Sequence, residues 1–424
     1  MIDEATLAKA VGHAATDGEF GLRASGWTGR LLLMVGDDAW ALPIVSGAVR
    51  APQRTRELVV GSDDVLLGGR DELWRSMLAA VPPPGFTDPW AASMHGLRFE
   101  ATGLSATRHG AIRRFVELLR HAVNGTDPAP RPQAKRHRHG EHDRTVGRYI
   151  HLDLDGIDHR VYYEEAGEGV ALLCQHTAGS DARQWRHLLE DERVTSRFRV
   201  IAYDLPFHGK SVPPESVAWW AQDYKLTTAS AMLVPNTLAE ALALDRPVFI
   251  GSSIGGMLAL DLARYHPDRY RAVIAVQGGL KVASTSDRPP EPGFAAASAA
   301  TDPAGHAELM MMVMGPGAPE AYRHETRFHY AQGAPGVFRG DINYYAGTHD
   351  LTEEADRIDT TRCPVYLLTG TYDFRTVDVS REAAARIRGA TLQLMNGLGH
   401  FPMSEDPERF SSHLLPVLDR IAGS

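Results

Sequence analysis

Cysteine is nearly absent. Cys174 and Cys363 are the only two in 424 residues, which excludes a disulfide framework and a Cys-rich zinc site. Both lie in apolar runs and are expected to be small core residues. Long apolar runs are missing as well: no stretch approaches the roughly 18 residues of a membrane span. The opening Met-Ile-Asp-Glu-Ala-Thr lacks the basic start and apolar core of a secretory leader, so the cytoplasm is the expected location. Positive charge is not in excess either. With 44 Lys and Arg against 53 Asp and Glu, the net charge is −9, which argues against general nucleic-acid binding. Lysine is scarce and arginine dominates, a coding bias that suits a bacterial source. What remains is ordinary globular composition, 43% hydrophobic and 23% charged, which excludes collagen and wholesale disorder.

Length alone suggests two or three domains. Residues 124–147, rich in Pro, His and charge and without apolar periodicity, read as a flexible linker. Its cluster Lys135-Arg136-His137-Arg138-His139 reads as solvated chain rather than a binding site. Residues 1–123 should form a small α+β domain. Residues 31–35, a Gly36-Asp37-Asp38 turn and residues 40–45 suggest a hairpin, and 70–79 and 110–123 suggest helices. In the second helix Ile112, Phe115, Val116, Leu119 and Val123 share one face. The stretch GGRDELWRSMLAAVPPPGF, followed by LRFEATG and that amphipathic helix, resembles the sterol-carrier-like lipid-binding family. Self-association, shielding of the second domain or holding an apolar ligand are the roles expected here.

Beyond the linker, strands and helices alternate. Strands are expected at 149–154, 161–164, 170–175, 199–203, 248–251, 272–276, 365–370 and 391–395. Helices are expected at 228–243, 254–265, 380–388 and 407–421. The central strands are continuously apolar, as strands buried on both faces of a parallel sheet must be. The class that follows is a three-layer α/β domain over 148–424.

Within it, Val248 to Gly256 reads strand, Gly-x-Ser-x-Gly, helix. A serine at such a turn is presented above the carboxyl ends of the strands, with the positive end of the next helix aimed at it. Ser253 is therefore the candidate nucleophile. Ser252 is its rival, at the unconstrained position of the pattern. A serine hydroxyl needs a base and a group to orient that base. Asp373 ends an apolar strand after Cys363, and His400 sits in the loop Asn396-Gly397-Leu398-Gly399-His400-Phe401-Pro402. The order Ser, Asp, His matches the chain order of such triads.

Together these segments resemble the α/β-hydrolase fold superfamily, in its esterase and carbon–carbon hydrolase branch, over residues 148–424. Asp204-Leu205-Pro206-Phe207-His208-Gly209-Lys210-Ser211 and the run from Gly399 to Pro407 strengthen the likeness. The resemblance implies that Ser253, Asp373 and His400 are catalytic, with the backbone N–H groups of Ala178 and Ile254 as oxyanion hole. It also implies a cap at about 278–362, with the Met-rich Leu309 to Met314 and several aromatics, Tyr344 and Tyr345 among them. One departure stands out: Thr177 replaces the usual first glycine after His176. His176, Asp204 and His208 are expected to support turns, and His349-Asp350 to be a structural pair. Dehalogenase-like and epoxide-hydrolase-like relatives are set aside, because they carry aspartate where Ser253 stands. No metal or cofactor is required. The expected activity is hydrolysis of a carboxylic ester or lactone of an apolar small molecule. Carbon–carbon bond hydrolysis of a ring-cleavage product and non-catalytic ligand binding are the alternatives.

Overall fold

The computed structural model describes residues 2–102, 105–128, 138–282, 303–373 and 375–423. Residues 129–137 of the expected linker, including most of its basic cluster, and 283–302 of the expected cap lie outside the described residues. The chain divides into two compact units. One comprises Met1–Gln133 together with Ala307–Glu320; the other comprises Ala134–His306 and Ala321–Ser424. The Met-rich run of the expected cap thus belongs with the first unit, where Met310, Met311, Met312 and Met314 are buried.

In the first unit, β1 (Gly29–Val35) and β2 (Asp38–Val45) form the expected hairpin, with Val35 opposite Asp38 and Leu33 opposite Trp40. Gly36 turns the chain at φ 57°. The short strands β3 (Ala48–Val49) and β4 (Gln53–Arg54) follow, then β5 (Val65–Gly69) and β6 (Arg98–Ala101). The sheet runs β3-β2-β1-β5-β6, with β4 beside β2. Alternation sends Leu31, Leu33 and Val35 into the main core, where helix Ala106–Asn124 packs Ile112, Phe115, Val116 and Leu119. Ser105 caps that helix by accepting the Arg108 N–H, and Gly125 in left-handed conformation ends it.

The opposite face of this helix is not solvated, contrary to the simple amphipathic reading. Arg113, Arg114 and Glu117 are buried. Arg113 meets Glu19 at 2.5 Å and Glu117 at 2.9 Å; Arg114 meets Asp17 at 2.6 Å and Glu320 at 3.0 Å. Arg23 also pairs with the buried Glu308. Charges from Ala307–Glu320 thereby complete the first unit, because buried guanidinium groups need carboxylate partners. An apolar cavity of about 300 Å³, lined by Ile2, Val35, Trp74, Leu78 and Val123, opens in the same unit.

The second unit is built on eight strands: β7 (Val146–Leu154), β8 (Ile157–Ala166), β9 (Val170–Gln175), β10 (Phe198–Tyr203), β11 (Val248–Ser252), β12 (Ala272–Val276), β13 (Val365–Gly370) and β14 (Thr391–Met395). Their order is β14-β13-β12-β11-β9-β10-β8-β7. The β7–β8 hairpin turns at Asp155 and Gly156, both at positive φ, and is antiparallel to its neighbours; β9 through β14 pair parallel. The α/β class with a mostly parallel sheet is therefore as expected. The β11 and β12 strands are buried at every position, as continuous apolar runs require. After β9 the chain adds β10 on one side and β11 on the other. The carboxyl ends of β9 and β11 flank that switch point, where open α/β sheets leave a crevice. Among the described residues no helix is long and apolar enough to cross a membrane.

Candidate active site

Ser253 stands where β11 breaks into helix Ile254–Tyr265, at φ 57° and ψ −112°. This is a strained conformation for a residue with a side chain, held because its N–H bonds the Val276 carbonyl at 2.9 Å. The flanking glycines are required by space. A Cβ at Gly251 would meet the Gly255 carbonyl at 2.4 Å, and one at Gly255 would meet the Gln175 carbonyl at 3.0 Å. Gly256, which sequence reasoning gave no role, is as confined: its Cβ would meet the Val276 carbonyl at 2.2 Å. Ser252 is fully buried in the strand end, its hydroxyl without a hydrogen-bond partner among the described residues.

Asp373 and His400 come from the loops after β13 and β14. These loops are stitched together, since the Thr371 N–H bonds Met395 O at 3.1 Å and the Tyr372 N–H bonds Leu398 O at 2.9 Å. His400 Nδ1 lies 2.5 Å from Asp373 Oδ2. Asp373 is fully buried. Burial would push its carboxyl up, but the His400 ring, the Thr376 hydroxyl and the Arg375 N–H outweigh that and hold it below the usual range. The structure thus joins two of the three expected side chains. Among the described residues no hydrogen bond links Ser253 Oγ to His400.

The loop after β9 is equally well defined. His176 is fully buried; its Nδ1–H donates to Thr177 O at 2.8 Å, and its Nε2 accepts the Leu205 N–H at 3.1 Å. Burial and the neighbouring His208 push its pKa down to about 4, so it is neutral and structural. Thr177 sends both its N–H and its hydroxyl to Gln184 Oε1, at 3.0 and 3.1 Å, and also contacts the Tyr330 hydroxyl. The hydroxyl that replaces the usual glycine therefore holds the turn. The N–H groups of Ala178 and Ile254 take no part in the turn and loop hydrogen bonds among the described residues. Asp204 accepts the N–H groups of Ala182 and Lys210, at 2.8 and 2.7 Å, and so ties its own turn to this loop.

Several supporting residues carried no sequence signal. Gln277, at φ 53° just past β12, donates to Gly399 O at 2.6 Å and accepts from the Thr376 hydroxyl at 2.9 Å, which braces both the His and the Asp loops. Glu405 accepts the N–H groups of Gly399 and Phe401. Asp341, in helix Pro335–Ile342, accepts the Gly179 N–H at 2.8 Å, the His208 Nε2–H at 2.8 Å and the Tyr224 hydroxyl at 3.2 Å. His349 does not pair with its neighbour Asp350, contrary to the sequence expectation. It reaches Asp261 at 2.9 Å and Gly279 O at 3.0 Å, while Asp350 takes Lys281 at 2.7 Å. Gln277 sits at a strand carboxyl end, the place a topological argument would search, and Glu405 lies within the run from Gly399 to Pro407; Asp341 meets the site only through space.

Comparison with known proteins gives a consistent result. The "Alpha/beta hydrolase family" profile matches residues 171–413. A Caulobacter sp. (strain K31) protein named as carbamate hydrolase RutD is 26% identical over 276 residues, covering 62% of this chain and 96% of that one. The 2-hydroxy-6-oxononadienedioate/2-hydroxy-6-oxononatrienedioate hydrolase of Burkholderia vietnamiensis is 25% identical, covering 65% and 96%. Among solved structures, an esterase from Thermogutta terrifontis superposes with a TM-score of 0.55 at 20% identity, covering 65% of this chain and 99% of that one, a likeness of fold.

Proposed function

The chain belongs to the alpha/beta hydrolase family, and on that premise we propose that it is a serine hydrolase cleaving a carboxylic ester or lactone of an apolar small molecule. The observation that carries this reading is the strained Ser253 at the elbow, on the same sheet edge as a His400 already oriented by buried Asp373. In the proposed mechanism substrate binding brings Ser253 Oγ within reach of His400 Nε2; catalytic hydrogen bonds often tighten only at that stage. His400 takes the hydroxyl proton as Oγ attacks the carbonyl carbon. The oxyanion is held by the Ala178 and Ile254 N–H groups, each worth about 3 kcal/mol. The leaving oxygen departs with the proton from His400, and water activated by the same ring releases the acid. No metal or organic cofactor enters the sequence.

A fluorophosphonate probe should label the chain, and Ser253→Ala should abolish labelling and lower ester turnover by about 10⁴-fold or more with the fold intact. Near-full turnover in that variant would end the reading, and absence of labelling in the parent would favour a non-catalytic ligand binder. The likeness to a hydrolase named for oxo-dienedioate substrates keeps carbon–carbon cleavage as the second reading. Turnover of a vinylogous diketone in preference to an ester panel would decide for it.

A further inference from the structure

The loop after β9 carries four consecutive N–H groups, from Thr177 to Ser180, and three of them are claimed. The Thr177 N–H bonds Gln184 Oε1 at 3.0 Å, the Gly179 N–H bonds Asp341 Oδ2 at 2.8 Å, and the Ser180 N–H bonds Thr177 O at 3.2 Å. The Ala178 N–H bonds nothing among the described residues, although Ala178 is buried. A buried donor left open calls for a partner. Its direction is set by the Thr177–Ala178 peptide plane, and that plane is held from outside the loop. The Thr177 hydroxyl gives its one proton to Gln184 Oε1 at 3.1 Å, so toward the Tyr330 hydroxyl it accepts. Tyr330 is therefore the donor at the head of a directed chain, Tyr330 to Thr177 to Gln184. Burial pushes the phenol's pKa up, so it keeps the proton it donates. The Tyr330 ring is itself fixed. It closes helix Glu320–Tyr330, whose Thr326 hydroxyl bonds Ser404 Oγ at 2.9 Å. It packs on Phe401, the chain neighbour of His400, with ring centroids 5.3 Å apart. Just past the helix, a Cβ at Gly333 would meet Gly179 O at 2.4 Å, so glycine is what lets this segment approach the loop.

We propose that Tyr330 is a positioning residue for the oxyanion hole, aiming the Ala178 N–H by way of the Thr177 hydroxyl. The proposal rests on the serine-hydrolase reading, and it makes a helix from between β12 and β13 part of the hole. A glycine at 177 would offer the phenol no handle; the threonine that stands there supplies one. Without the phenol, the Thr177 side chain and the peptide after it lose one of their fixed points. The Ala178 N–H then strays from the line to the oxyanion. The cost falls on the tetrahedral intermediate, where the substrate oxygen carries full charge, and barely on the bound ester, where it does not.

The test measures hydrolysis of a p-nitrophenyl ester by Tyr330→Phe, Thr177→Val and the double variant. Fluorophosphonate labelling carried to completion counts the active sites. Removing an oxyanion donor outright costs about 10²- to 10³-fold in kcat. Misdirecting one should cost Tyr330→Phe about 10- to 100-fold in kcat, with KM within about twofold. An aryl trifluoromethyl ketone, whose adduct with Ser253 carries the same oxyanion, should bind more weakly by the same factor. The double variant should lose no more than Thr177→Val alone, because the two hydroxyls act as one chain. Thr177→Ser, which restores the hydroxyl, should recover most of what Thr177→Val loses. If Tyr330→Phe does not fold, the Val and Ser variants at 177 decide by the same ketone readout. A kcat loss below about threefold, a loss carried by KM with ketone affinity unchanged, or additive losses in the double variant would overturn the role of Tyr330 and leave the serine-hydrolase reading standing. Failure of the parent chain to label at Ser253 would overturn the reading, and the inference with it.

Discussion

Among the described residues of the second unit, three histidine–aspartate pairs lie away from the surface, and they differ in one atom. In His208–Asp341 both ring nitrogens face acceptors, the carboxylate at 2.8 Å and Pro206 O at 3.0 Å. In His349–Asp261 the acceptors are the carboxylate and Gly279 O. A ring flanked by two acceptors must carry both protons, so these are buried imidazolium–carboxylate pairs. Burial opposes that charge, and the adjacent carboxylates outweigh it, raising both histidines. His400 also faces a carboxylate, but its Nε2 has no hydrogen-bond partner among the described residues, and its side chain keeps 15% of its exposure. The pair alone does not make a base; a second nitrogen left open to exchange a proton does.

The sharpest way to break this comparison is to alter Asp373. Asp373→Asn keeps the shape and removes the charge that orients His400, so ester turnover should fall by about 10⁴-fold with little change in stability. A loss below tenfold, measured on purified enzyme, would place His400 with the structural pairs. Asp341→Ala tests the opposite side. It strands His208 and the Gly179 N–H in the interior and should cost about 3 kcal/mol in denaturant unfolding. Unchanged stability would mean that the clasp carries no weight.

The smallest effect is the pH profile of stability. His208 faces Asp341 and Asp204, and His349 faces Asp261 and Asp350; both are raised above 6.5. Their stabilisation is complete below 6.5 and fades as pH climbs through the raised values. His176, lowered to about 4 beside His208, has the reverse sign: stability falls as pH drops from 6.5 toward 4. Thermal midpoints should therefore peak near neutrality, with His208→Gln weakening the alkaline limb, where His349 remains, and also softening the acid limb, because it removes the neighbour that helps depress His176. A profile level from about 5 to 9 would contradict the charge assignments.

Much of the candidate site was legible because its signals are local. Glycine at 251 is required by space within one turn, where its Cβ would meet the Gly255 carbonyl, and Asp373 and His400 fall in the loops that follow two of the expected strands. The parallel sheet was legible for the same reason, since strands buried on both faces must be apolar throughout. Gln277 and Asp341 were not, because nothing in their neighbours along the chain marks what they touch. The burial of Arg113 and Arg114 was not legible either, since Glu308 and Glu320, about 200 residues later in the chain, supply part of their charge partners.

By itself, then, the sequence determined the repeating α/β pattern and the order of the three candidate catalytic side chains, through short-range sterics and hydrophobic periodicity. Only the tertiary structure decided which histidine has a free nitrogen and which unit takes Ala307–Glu320. Those outcomes depend on which distant groups share a desolvated space, where every buried charge and hydrogen-bond donor must find a partner.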